Sequence, residues 1–171
     1  LADRVRMANS KNATYFISIH CNSSPKPDVC GTETHIHNMK SRTSRELALQ
    51  VEKQFSTRAA RQSRGVKQKS DRLGNLYVLR ETKMPAVLIE TGFMSNLTEE
   101  KYLNSERGQD LTASAIFRAF RDYVKKEHNI SMRTPESIEV NQPIVWKIQI
   151  MASTGPVSLN IKEFEEIGVK I

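Results

Sequence analysis

The chain has 171 residues, of which 38% are hydrophobic and 26% are charged, and this composition is ordinary for a globular protein. The length predicts one domain, with room for a small appendage. No apolar run approaches the 18 or more residues that a membrane helix needs. Because 26 Lys and Arg outnumber 19 Asp and Glu, the formal charge is +7, which favours an acidic partner surface such as nucleic acid or an anionic cell-wall polymer.

Both ends of the chain have the pattern of an interrupted element. Leu1 is not an initiator Met, and Leu1, Val5 and Ala8 have the spacing of a helix face entered midway. Residues 163–171 have the pattern of a helix that turns into a strand. We therefore expect an N-terminally truncated chain, which cannot report whether a secretory signal precedes it.

Predicted strands and helices alternate along the chain. Residues 13–19 are β-branched and aromatic and predict a buried strand that ends at His20, and residues 31–37 predict a second strand. Thr43 and Glu46 form a capping-box pattern at the start of a helix. The apolar residues of this helix recur every four positions and are Leu47, Val51 and Phe55.

The second half continues the alternation. Residues 76–79 and 86–89 predict two short strands, and residues 110–126 have the apolar spacing of one helix face. This order predicts an α/β fold with a largely parallel sheet flanked by helices, incomplete at the N-terminus. The composition then changes: we expect a first domain over 1–127, a polar, proline-containing linker over 128–143 and the start of a second small module over 144–171.

Two polar side chains stand at the ends of apolar strands. His20 ends the first strand and Glu90 ends the strand over 86–89, and ligands gather at the carboxyl ends of strands in open α/β sheets. The alternatives are a hydrogen-bonded core histidine for His20 and a buried ion pair with an arginine for Glu90.

Four segments carry a family resemblance: FISIHCNS (16–23), GTET (31–34), VLR (78–80) and MPAVLIETGFMSN (84–96). In order and spacing they resemble the catalytic domain of the zinc-dependent N-acetylmuramoyl-L-alanine amidases of the AmiC/LytC type, over about residues 1 to 123. Cys21 departs from the family pattern, which usually has a small residue at that position.

The resemblance implies a function and a site. It implies an amidase/phosphorylase-hydrolase-like fold and zinc-dependent hydrolysis of the amide between N-acetylmuramic acid and L-alanine in peptidoglycan. It makes His20 a zinc ligand and Glu90 the catalytic carboxylate, which would take a proton from the attacking water and return it to the leaving amine. The family's other two zinc ligands, a His and a Glu, lie upstream of the position of Leu1, so we expect the 171-residue chain to be inactive by itself.

Further polar residues near these motifs are secondary candidates. Asn22, Glu33 and Arg80 are predicted to contact the substrate or the catalytic residues. Glu33, His35 and His37 lie on one face of a predicted strand, so they could form a separate metal cluster or a polar rim of the active site. Three remaining candidates are interpreted as structural: His128 as a solvated residue at a helix end, and Cys21 and Cys30 as free thiols rather than a disulfide.

Basic residues are frequent between Lys40 and Arg72. They predict a cationic helix face that is either simply solvated or attracts anionic murein or nucleic acid. Nucleic-acid binding is not expected, because one Trp, four Tyr and six Phe do not interleave with the basic residues as a base-stacking platform requires.

The C-terminal segment fits a wall-binding protein. Residues 145–153 weakly resemble the first strand of a SPOR domain, a module that binds peptidoglycan glycan strands. We therefore expect a peptidoglycan partner, an unidentified activator protein as a further option, and a periplasmic or extracellular location in a bacterial envelope. The alternative to an enzyme is a regulator with a degenerate amidase domain that binds murein without cleaving it.

Overall fold

A four-stranded sheet organises residues 1–68 and 76–128, which are the residues that the computed structural model describes. The helices are α1 (Ala2–Ser10), α2 (Arg42–Arg58), α3 (Tyr77–Glu81), α4 (Leu97–Leu103) and α5 (Glu106–Glu127). The strands are β1 (Phe16–Asn22), β2 (Thr32–Ile36), β3 (Ser63–Gln68) and β4 (Ala86–Phe93). In this part of the chain, no helix combines the length and apolar character that crossing a bilayer requires.

The strands lie in the order β1-β4-β2-β3. β1 pairs with β4 in parallel and β2 pairs with β3 in parallel, whereas β2 and β4 are antiparallel. The predicted α/β class is therefore confirmed, and the sheet is mixed, with two parallel pairings and one antiparallel pairing.

The two faces of the sheet are covered by different helices, as the alternation along β4 shows. Val87 and Ile89 are buried in a cluster with residues of α2 and α5. Ala86 and Leu88 are buried in a second cluster with Val5 of α1 and residues of α3. Because side chains alternate along a strand, Glu90 lies on the α1/α3 face together with Ala86 and Leu88.

A buried carboxylate on α2 binds the face of the sheet that α2 and α5 cover. Glu52 is 5% exposed and accepts hydrogen bonds from Thr32 Oγ1, Thr34 Oγ1 and Ser63 Oγ at 3.1, 2.7 and 2.6 Å. These donors come from β2 and β3, so one side chain of α2 fixes the position of this helix relative to two strands. A buried charge needs such donors, since its desolvation is costly.

Residues 76–79 were expected as a strand, and this prediction is wrong. The segment starts helix α3, with Leu79 N and Arg80 N both donating to Leu76 O at 2.8 and 3.1 Å. A run of four apolar residues does not distinguish a strand from a buried helical turn, and here Val78 and Leu79 pack on the α1 side of the sheet.

Two other local expectations differ from the structure. The N-cap of α2 is Ser41, and Thr43 lies within the first turn, so the predicted capping box with Glu46 does not form. Strand β3 was not predicted, because its sequence contains Gly65 and alternates weakly, and its residues are exposed or half-buried at the sheet edge. The predicted linker from residue 129 onward and the SPOR-like module lie outside the described residues.

Candidate active site on the α1/α3 face of the sheet

His20, Glu90 and Glu33 form a row across three adjacent strands. His20 and Glu90 are register partners in the parallel pair β1/β4, and Glu33 is the partner of Glu90 in the antiparallel pair β2/β4. Register partners project to the same face of a sheet, so the three side chains lie on the α1/α3 face. The fold thus brings together the two candidates at the strand ends and adds a second carboxylate.

His20 is half-buried beside a hydroxyl group. Its Nε2 lies 2.7 Å from Ser18 Oγ. Burial, with a smaller contribution from the charge of Arg4, lowers the pKa of His20 below its ordinary value. The neutral imidazole is therefore favoured, which is the form that accepts a proton or binds a metal.

Glu33 is held by three donors from three strands. Its Oε1 accepts from Asn22 Nδ2 at 3.0 Å and lies 3.1 Å from His35 Nε2, and its Oε2 accepts from Arg64 Nε at 3.1 Å. Burial alone would raise the pKa of Glu33, but the hydrogen bond from Arg64 and the charge of His35 outweigh burial and lower it. Glu33 is therefore an anchored, ionised carboxylate beside Glu90.

An irregularity in β1 brings Asn22 within reach of Glu33. The register between β1 and β4 shifts between His20 and Asn22, so that Asn22 pairs with Phe93. Thr91 Oγ1 donates to His20 O at 3.0 Å inside this shift. Bulges next to active sites commonly re-aim one side chain, and here the re-aimed residue is Asn22.

The remaining candidates lie at other places. Arg80 is exposed on α3, where it donates to Glu81 Oε1 at 2.5 Å and lies 5.6 Å from the ring centroid of Tyr77. Cys21 and Cys30 are free thiols. His128 caps α5 and is exposed, with its Nε2 3.2 Å from Tyr15 Oη.

The described residues do not make a complete metal centre. His37 lies beyond the end of β2 and is exposed, whereas Glu33 and His35 bond to each other, so the separate cluster of these three residues does not form. Within residues 1–68 and 76–128, no three His, Cys, Asp or Glu side chains converge as metal ligands. A catalytic zinc usually has three protein ligands, so the described donor set is too small for one.

A buried ion pair that sequence reasoning missed supports the strand ends. Glu99 is 5% exposed, and its Oε2 accepts from the backbone N–H of Gly31 at 3.0 Å and of Phe93 at 2.8 Å. Its Oε1 accepts from Arg61. The signal was present in the sequence, because Asn96 caps α4 and Glu99 stands three positions later, as in a helix start.

The basic residues between Lys40 and Arg72 do not form one helical face. Arg61 is paired with Glu99, Arg64 with Glu33, and Arg42 with Glu46 on α2. Lys69 and Arg72 fall outside the described residues. Arg61 and Arg64 therefore pair with buried carboxylates of other elements, whereas Arg42 pairs at the exposed surface of α2.

A histidine and a carboxylate that are register partners near the carboxyl ends of neighbouring parallel strands are an arrangement expected of a hydrolytic enzyme with an α/β fold. The model of the N-acetylmuramoyl-L-alanine amidase family matches residues 1–122, and the chain belongs to this family. The family resemblance of the motifs is thus confirmed.

Two relatives of the chain are named as amidases. An uncharacterized cell wall amidase of Bacillus anthracis is 37% identical over 139 residues, which are 77% of this chain and 25% of that protein. The N-acetylmuramoyl-L-alanine amidase LytC of Bacillus subtilis is 32% identical over 117 residues, 68% of this chain and 23% of LytC. The chain thus spans about a quarter of the length of these two relatives.

Solved structures agree with the fold. The crystal structure of an N-acetylmuramoyl-L-alanine amidase from Clostridium difficile 630 has a TM-score of 0.68 at 32% identity, covering 74% of this chain and 66% of that one. The CwlD amidase of Clostridioides difficile, in complex with the GerS lipoprotein, has a TM-score of 0.66 at 29% identity, covering 73% and 61%.

Proposed function

We propose that the full-length protein hydrolyses the amide bond between N-acetylmuramic acid and L-alanine in peptidoglycan. The observation that carries the proposal is the register pairing of His20 with Glu90 on one face of the sheet. Family membership supports the choice of substrate. Because the chain spans only part of its relatives, the activity is assigned to the full-length protein.

Glu90 is the proton carrier of the reaction. Its carboxylate takes a proton from a water molecule as the water oxygen bonds to the amide carbonyl carbon. The same proton then passes to the nitrogen of L-alanine as the carbon–nitrogen bond breaks, which leaves a free amine and a lactyl carboxylic acid that releases its own proton to water. Glu33 stays ionised beside it, because Asn22, His35 and Arg64 stabilise its charge.

Zinc belongs to the proposal for the full-length protein. The family resemblance makes His20 one ligand, and bound zinc would supply Lewis-acid polarisation of the substrate carbonyl. The described residues provide fewer than the usual three ligands. We therefore assign to His20 a contribution to metal binding and derive no step that depends on the metal.

The proposed setting is the bacterial cell envelope, either periplasmic or extracellular, with peptidoglycan as the partner. The relatives named as cell wall amidases support this setting. The CwlD neighbour, which is in complex with a lipoprotein, supports an accessory protein as a further partner. Asn22 and Glu33 are proposed as residues that position Glu90 or the substrate, and Arg80 as a substrate contact from α3.

The test compares Glu90→Gln with the wild-type full-length protein. Glu106→Gln, at an exposed position in the first turn of α5, is the matched control. Release of new L-alanine amino termini from purified sacculi is followed by amine labelling and mass spectrometry. We expect Glu90→Gln to lose at least about 100-fold in rate, since general acid–base catalysis contributes roughly 10²–10⁴-fold. Retention of wild-type turnover by Glu90→Gln would exclude the assigned role.

A second candidate is a murein-binding regulator that does not cleave. The small number of metal-binding donors among the described residues favours it. It predicts that the full-length protein sediments with sacculi equally well with and without a chelator and releases no amine. Release of amines that the chelator abolishes would reject this candidate.

A further inference from the structure

A cavity of about 570 Å³ opens beside the candidate active site. Its wall consists of residues 25–30, in the loop after β1, together with Gln62 and Arg64. Arg64 Nε donates to Glu33 Oε2, and Glu33 is the register partner of Glu90. Two side chains, Arg64 and Glu33, thus connect the cavity wall with the proposed proton carrier.

The wall presents two cations of different kinds. Arg64 uses Nε on Glu33 and lies 5.1 Å from the ring centroid of Phe93, so its guanidinium group is fixed while further N–H donors remain. Lys26 is exposed, and its amine has no ion-pair partner among the residues that the structure describes. Asp28 is the acidic residue of the wall, and Glu33 already pairs with Arg64, so Lys26 and the remaining N–H groups of Arg64 are the donors that a ligand can use.

The loop that carries Lys26 is held in place. Ser24 N donates to Ser95 Oγ at 2.9 Å, and Asn96 Nδ2 donates to Pro27 O at 2.9 Å. Ser95 and Asn96 directly follow β4, which carries Glu90. The same segment therefore positions the cavity wall and the active site, and a wall fixed before binding loses little conformational entropy when it binds.

We propose that this cavity binds a carboxylate within the first three residues of the peptidoglycan stem peptide, through Lys26 and Arg64. The inference rests on the proposed function, which places the lactyl–alanine amide at Glu90. β3 lies two strands from β4, or about 10 Å. Two to three extended peptide residues span about 7 to 10 Å, so the stem peptide reaches the cavity while the amide stays at Glu90. A carboxylate of the acidic peptide suits the Lys26 amine and the remaining N–H donors of Arg64 better than the neutral part of the glycan does.

The experiment uses two soluble substrates, N-acetylmuramoyl-L-Ala-D-Glu-L-Lys with free carboxylates and the same compound with every peptide carboxylate amidated. The full-length protein is expected to show a kcat/KM about tenfold higher for the acid, the change that one charge-assisted hydrogen bond of about 1.4 kcal/mol produces. In Lys26→Met the ratio of kcat/KM for the acid to kcat/KM for the amide should fall at least about threefold. Arg64→Lys, which keeps the charge but loses the planar fork, should also lower the ratio.

Lys11→Met is the matched control, because Lys11 is exposed and precedes β1 at the opposite end of the strand. It should keep the wild-type ratio. Thermal unfolding of each variant checks the fold, and the exposed position of Lys26 predicts an unchanged Tm. An equal loss of the ratio in Lys11→Met and Lys26→Met would overturn the proposal.

The outcomes separate this proposal from the proposed function. Turnover of both substrates with a ratio near one in the wild type overturns the carboxylate site and leaves the hydrolase standing. If neither substrate is cleaved, calorimetric binding of the two compounds decides. Tighter binding of the acid that weakens in Lys26→Met supports the site without the activity, whereas equal binding or no binding overturns it.

Discussion

Glu33 and Glu90 lie directly opposite each other in the antiparallel pair of β2 and β4. Like charges in this position destabilise a sheet, since opposed Cβ atoms are only about 5 Å apart. Asn22, His35 and Arg64 all direct donors at Glu33, which offsets the repulsion and keeps Glu33 ionised. Of the two carboxylates that lie side by side, Glu33 is therefore the one that these donors hold in its charged form.

The lowered pKa of Glu33 predicts a pH-dependent stability. Because the folded-state pKa lies below the unfolded value of 4.5, Glu33 stabilises the fold fully above that value, and the contribution disappears as the pH falls through the folded pKa. Glu33→Gln should therefore cost about 1–3 kcal/mol at pH 7 and less at pH 3. Urea unfolding between pH 3 and 7 measures this, with exposed Glu81→Gln as control. A cost that is constant across the range would contradict the prediction.

The sequence predicted the strands whose residues are most buried and most β-branched. β1 and β4 were expected because their apolar runs end sharply at polar residues, β2 because a short segment with β-branched residues follows a loop with Pro and Ser, and α5 because its apolar spacing extends over about three turns. α3 and β3 were missed since each is short and its identity depends on tertiary packing: Val78 and Leu79 on α1, and β3 on its pairing with β2.

The site residues that could be predicted from the sequence are those that stand at the end of an apolar strand. His20 and Glu90 could be named from their positions, but their pairing depends on β1 and β4 being neighbours, although 63 residues separate the end of β1 from the start of β4 in chain order. The donors of Glu33 were not predictable, because Arg64 belongs to the strand that was missed and Asn22 reaches Glu33 only through the register shift. Motif spacing carries no information on such long-range contacts.

Gly31 is predicted to tolerate no side chain. It has a φ of +103°, and an added Cβ would lie 2.4 Å from Gln62 O, the acceptor of the hydrogen bond from Thr32 N. Gly31→Ala should lower the free energy of unfolding by about 2–4 kcal/mol. Gly65→Ala is the matched control: its φ is +81° and nothing lies within 4 Å of the added Cβ, so backbone strain of about 1–2 kcal/mol acts alone. Equal losses in urea unfolding would show that the contact with Gln62 is unimportant.

Glu99 is predicted to be a sensitive carboxylate outside the candidate active site. It fixes the start of β2 through Gly31 N and the end of β4 through Phe93 N, and it neutralises Arg61, whose side chain is 11% exposed.

Glu99→Ala leaves a buried guanidinium and two amides without their acceptor, so the free energy of unfolding should fall by about 3–5 kcal/mol. Glu99→Gln keeps an acceptor for the amides but not the charge, and should lose about 1–3 kcal/mol. Glu100, one residue on, accepts a side-chain hydrogen bond from Asn104, and Glu100→Ala should lose less than about 1 kcal/mol. Urea unfolding of the three variants gives the order, and a loss in Glu100→Ala as large as in Glu99→Ala would show that the ion pair with Arg61 does not hold the strand ends together.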